Sequence, residues 1–63
     1  MTSNERKQIA RCLMHLHPSV NNPDAAARGL SAIYRATRTA RNQQYILAVA
    51  REYGLINNPD FRT

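Results

Sequence analysis

Apolar positions recur along this chain at helical rather than alternating spacing. Ile9, Cys12, Leu13 and Leu16 fall within about 100° of one another on a helical wheel, and Lys7 and Arg11 fall on the opposite side. Thr2-Ser3-Asn4-Glu5, just ahead of them, is a capping box in which Glu5 reaches back to the Thr2 backbone. A first helix is expected over residues 3–15. Pro18 stops it, because the residue before a proline, His17, is pushed away from helical angles. Met14 lies off the stripe, free to meet a partner chain.

The second helix is expected over 23–38. Asn22 is a good N-cap, Pro23 fits the first helical position and Asp24 suits the positive helix end. Ala25, Gly29, Ala32, Ile33, Ala36 and Ala40 form a ridge of mostly small residues that lets a neighbouring helix approach closely, flanked by Leu30 and Tyr34. Gly29 costs about 1 kcal/mol of helix propensity against Ala, which points to a close-packing reason for it.

A third helix is expected over 40–53, with Ile46, Val49, Ala50 and Tyr53 as its buried stripe. Gly54 then serves as its C′ residue and Leu55 as the hydrophobic contact of a Schellman end. No Pro or Gly separates the second helix from the third. Continued at about 100° per residue, however, the stripes around Ile33 and Ile46 would face nearly opposite sides. A break between Thr37 and Asn42, with Thr39 as N-cap, resolves the conflict.

Val20-Asn21-Asn22-Pro23-Asp24 recurs as Ile56-Asn57-Asn58-Pro59-Asp60. The repeat is re-use of a good cap, since the chain is too short for tandem repeats. Only Phe61, Arg62 and Thr63 follow the second copy, so it reads as a tail turn with Ile56 and Phe61 packing back on the bundle. The expected fold is all-α: a compact three-helix bundle in one domain over residues 1–63, with a short C-terminal tail. So short a chain buries little core, and self-association as a homodimer would relieve that.

Charge changes the picture. Nine Lys and Arg stand against four Asp and Glu, a net +5, and eight of the nine cations are Arg. The planar guanidinium fork suits phosphate and carboxylate, and a balance of this size favours an anionic partner. Between Arg28 and Arg38 the arginines cluster. Arg28, Ser31, Arg35 and Arg38 span an arc of about 80° and roughly 15 Å along a helix, enough to bridge several phosphates. No acid occurs between Asp24 and Glu52 to intersperse that face. Arg41 lies off it near the break, and Arg51 on the third helix extends the patch. Asn42, Gln43 and Gln44 can pair with adenine edges but serve equally as cap and surface residues. Tyr45 is the tyrosine expected to be partly exposed, for stacking.

The remaining chemistry is sparse. Cys12, His15 and His17 have the spacing C-x-x-H-x-H, without further Cys or His to complete four ligands, so no metal and no cofactor is expected. Glu5, Asp24 and Asp60 sit in cap phrases and Glu52 lies next to Arg51. That leaves no acid pair and no phosphate loop, so no enzymatic activity is expected. A single Cys fits a reducing compartment. The absence of a long apolar run makes a soluble cytoplasmic protein the default, with no membrane partner. The segment Ala26–Arg35 resembles a helix-turn-helix in its order of Ala-Ala, Gly-Leu-Ser and an apolar-Tyr-Arg group. The spacing from Ala-Ala to Gly29 is too short for a first helix, and the helical phase runs through Gly29, so no family follows. The expectation is a non-enzymatic, regulatory or accessory protein that binds DNA or RNA through Arg28, Ser31, Arg35 and Arg38, with Arg41 and Arg51 at the margin. The alternative sets the same arginines against an acidic patch of a partner protein.

Overall fold

Each helix begins where a side chain accepts a hydrogen bond from a backbone N–H of the first turn. The computed structural model describes residues 1–63, with α1 at Ser3–Met14, α2 at Pro23–Ala36 and α3 at Ala40–Glu52, and no strand. Thr2 accepts from the Glu5 N–H at 3.2 Å while Glu5 accepts from the Thr2 N–H at 3.1 Å, a complete capping box. Asn22 accepts from the Ala25 N–H at 3.2 Å, and Thr39 from the Asn42 N–H at 3.4 Å. The end of α3 is a Schellman turn. Gly54 takes φ +72°, its N–H donates to Arg51 O, and the Leu55 N–H donates to Ala50 O at 2.7 Å. Leu55 follows into the core.

Each helix ends one or two residues short of its approximate expected limit. α1 stops at Met14 rather than 15, α2 at Ala36 rather than 38, and α3 at Glu52 rather than 53. The shortening of α2 matters most. Thr37 and Thr39 have extended backbones (ψ 142° and 136°), and Gln43 Nε2 donates to Thr37 O, so Thr37 to Thr39 form an extended link. α2 and α3 are therefore separate helices.

α2 is the middle element. It packs against both α1 and α3, which do not pack against each other. The core joins Ile9 of α1, Ala26, Ala27, Leu30 and Ile33 of α2, and Ile46, Val49 and Ala50 of α3, closed by Leu55 and Phe61 of the tail. Gly29 faces α1. A Cβ there would collide with Cys12 Sγ and stand 3.3 Å from Cys12 Cβ, so its lost propensity is traded for close helix approach. Burial pushes the Cys12 thiol above its ordinary pKa.

The small-residue ridge expected on α2 holds at Gly29 and Ile33 and is corrected elsewhere. Ala32 and Ala36 are exposed and Ala40 opens α3, whereas Ala26, Ala27 and Leu30 are wholly buried. The helix is turned roughly 100° from the expected orientation, because α1, α3 and the tail all press on it. Tyr53, expected in the α3 stripe, is half exposed at the helix end. No helix is long and apolar enough to cross a membrane.

Candidate nucleic-acid interface

The arginine side of α2 is reached by the tail. Phe61 anchors the tail, buried in an edge-to-face arrangement with Tyr34 at a centroid distance of 6.4 Å and an interplanar angle of 67°. A tight turn aims it there. The Asn58 N–H donates to Leu55 O, the Phe61 N–H to Asn58 O, and the Asp60 N–H to Asn58 Oδ1 at 2.8 Å.

Three polar contacts then register the tail along α2. Asn58 Nδ2 donates to Asp24 Oδ1 at 2.9 Å. Arg28 pairs with Asp60 at 2.8 Å. The Arg62 N–H donates to Ser31 Oγ at 2.9 Å, and the Ser31 hydroxyl donates back to Arg62 O. Positions 24, 28 and 31 share one helix face, being spaced by four and three residues. The tail runs along that face in the same direction as α2.

This placement sorts the sequence-derived site residues. Ser31, expected on the exposed arginine face, is buried and spent on the Arg62 backbone. A helical wheel could not foresee a tail laid across it. Arg28 keeps 60 % of its side-chain surface exposed but is oriented by Asp60. Arg35, one turn beyond Ser31, is exposed and has no carboxylate within reach. Arg38 lies in the extended link rather than on the α2 face. Arg41 stands in the first turn of α3, where no acid offsets the positive helix end. Arg51 is in the last turn of α3, where a cation also serves the helix itself.

Arg28, Arg35 and Arg62 surround a shallow hollow of about 320 Å³, floored by Ser31 and Ala32 and shared with Asp60. Three arginines and one carboxylate line it, and Arg28 is the arginine paired with that carboxylate. Arg38, Arg41 and Arg51 do not line it. Arg62 and Asp60 were absent from the sequence-derived site. The signal for them was the second cap phrase followed by Phe61, which needed a buried seat and carried its neighbours with it.

The outlying candidates fall differently. Gln43 is committed to Thr37 O, Asn42 is half buried, and Gln44 is exposed. Tyr34 packs on Phe61, while Tyr45 and Tyr53 are each half exposed. His17 Nδ1 accepts from the Ser19 N–H at 3.2 Å and lies 2.8 Å from Ser19 Oγ. No protein family matches this chain, and neither a curated protein nor a solved structure does.

Proposed function

We propose that this protein binds nucleic acid through the phosphate backbone, without catalysis, as a regulatory or accessory factor of the cytoplasm. Arg28, Arg35 and Arg62 are the central contacts, and Arg38, Arg41 and Arg51 the outer ones. Ser31 supports the site by holding the Arg62 backbone. The observation that carries the reading is the hollow lined by three arginines and a single carboxylate.

The disposition of the four acids adds to it. Asp60 pairs with Arg28, Asp24 accepts from Asn58, and Glu5 is held in the capping box, which leaves Glu52. Of nine Lys and Arg, only Arg28 has a carboxylate partner within 4.0 Å. Most of the positive surface is thus free to release counterions on a polyanion. Arg28 and Arg35 are two turns apart, roughly 10.5 Å, which is about three phosphate rises along one strand.

Titration of a labelled duplex and of a single strand against salt tests this. Each phosphate contact adds about 0.9 to the slope on duplex DNA, and Arg35→Ala removes about 1 from it. Absence of binding at low salt overturns the reading. The second reading is an acidic protein surface, and Asp60 favours it, because the hollow already accepts one carboxylate. Its mark is loss of a protein partner in Arg35→Ala with no nucleic-acid binding in the parent.

A further inference from the structure

A second surface lies apart from the arginine hollow. Because α1 and α3 pack on α2 but not on each other, the end of α1, the link after it and the end of α3 leave a groove of about 940 Å³. Leu13, Met14, Leu16, Val20 and Tyr53 supply its apolar wall, and it shares no residue with the arginine hollow. The link is folded rather than loose. Val20 and Asn21 N–H groups donate to His17 O, the Asn22 N–H donates to His15 O at 2.7 Å, and Asn21 turns the chain at φ 47°.

Four large apolar side chains of this protein are exposed: Met14, Val20, Tyr45 and Tyr53. Three of them line this one groove. Scattered exposed apolar residues need no explanation, but a contiguous set rimmed by polar groups marks an interaction site. Met14 is 69 % exposed, and its flexible, polarizable side chain is of the kind used at adaptable binding surfaces.

The rim selects the occupant. Arg11 is the one formal charge lining the groove, His15, His17 and Ser19 add polar groups, and no carboxylate lines it. A second copy of the chain fits poorly. It carries the same +5, and three of its four acids are already engaged internally. A flat bilayer would leave a concave groove of this volume unfilled, and the mainly apolar lining gives a phosphate backbone little to bind. A helix presenting apolar side chains at i, i+3, i+4 and i+7 fills such a groove, with flanking acids meeting the rim.

We infer that this groove is a docking site for an acidic amphipathic helix of a partner protein. Its apolar face lies against Met14, Leu16, Val20 and Tyr53, and its flanking carboxylates meet Arg11, His15 and His17. The protein then has two separate surfaces, so that a nucleic acid and a protein helix are held at once.

The test uses the full chain and a fluorescent helical peptide with Leu at i, i+3, i+4 and i+7 and Glu at the flanking positions, read by anisotropy. A matched peptide carries Lys in place of Glu. The Glu peptide binds and the Lys peptide does not. Met14→Asp, at a site too exposed to disturb folding, weakens the Glu peptide about tenfold, and Arg35→Ala leaves it unchanged. Circular dichroism of Met14→Asp confirms retained helicity. Four outcomes each overturn the proposal. They are no binding of the Glu peptide, equal binding of both peptides, binding indifferent to Met14→Asp, and a Met14-dependent doubling of mass in sedimentation, which would assign the groove to a second copy. Met14-dependent binding to phosphatidylserine vesicles without peptide binding would assign it to a membrane surface instead.

Discussion

Asp24 Oδ1 accepts a hydrogen bond from Asn58 Nδ2 at 2.9 Å, so the two copies of the Asn-Asn-Pro-Asp phrase touch each other. The first copy caps α2 and the second turns the tail, and the contact between them starts the register that brings Asp60 to Arg28. Asp60 thereby fills part of the anion hollow. Asp60→Asn should free Arg28 for a phosphate while Phe61, Asn58 and Ser31 keep the tail down. The exposed ion pair contributes about 0–1 kcal/mol, so stability should change little. The salt slope for duplex binding should steepen by about 0.9. An unchanged slope would show that Asp60 does not compete with phosphate for Arg28.

Burial of Phe61, more than the polar register, should hold the tail. Phe61→Ala should cost about 3–5 kcal/mol, against a total of roughly 3–9 kcal/mol for a chain of this length. Thermal melts followed by circular dichroism should show a large fall in Tm. Asn58→Ala removes the bond to Asp24 and the turn bond from the Asp60 N–H but leaves Phe61 seated, and should cost about 1–2 kcal/mol. Equal losses in the two variants would contradict this ranking.

Gly29 and Cys12 should be strongly coupled. Gly29→Ala gains about 1 kcal/mol of helix propensity but drives a methyl into Cys12 Sγ, and overpacking of this kind costs about 1–3 kcal/mol. The single variant should be net destabilised in urea. In a Cys12→Ala background the same change should be neutral or stabilising. A double-mutant cycle with no coupling would show that α1 moves aside freely.

These elements differ in how far sequence could reveal them, for a physical reason. The caps at Thr2, Asn22 and Thr39 and the Gly54 end were legible, because each is a bargain struck within a few residues. The need for close approach at Gly29 was legible as well, since a glycine inside a helix is costly. The rotation of α2 was not. Which side of that helix is buried depends on three neighbours at once, and Ala32 looks like Ala26 until they are placed. Ser31 and Arg62 illustrate the same limit at the candidate site, where residues 31 apart in sequence share a hydroxyl.

The start of α1 should weaken in acid. The Thr2 backbone N–H, then its hydroxyl, donate to the Glu5 carboxylate and hold its pKa below the usual glutamate value. The charged form is favoured by folding, so the contribution is complete above the ordinary glutamate pKa. It is lost as pH falls through the lowered one. Amide exchange of the first turn of α1 should accelerate over that acidic range, and Glu5→Gln should flatten the dependence. An equally steep response in Glu5→Gln would assign it to another group.

The tail that completes the hollow also sets a timetable. Contacts of α1 with α2 and of α2 with α3 join neighbours along the chain, whereas those of the tail close loops of 31 to 34 residues. Local pairings form quickly, and long loops must lose more chain entropy before any contact rewards them. The helices are therefore expected to assemble first and the tail to dock last. Arg62 and Asp60 are expected to arrive only in that step, so the three-arginine hollow and the seat of Phe61 in the core form together.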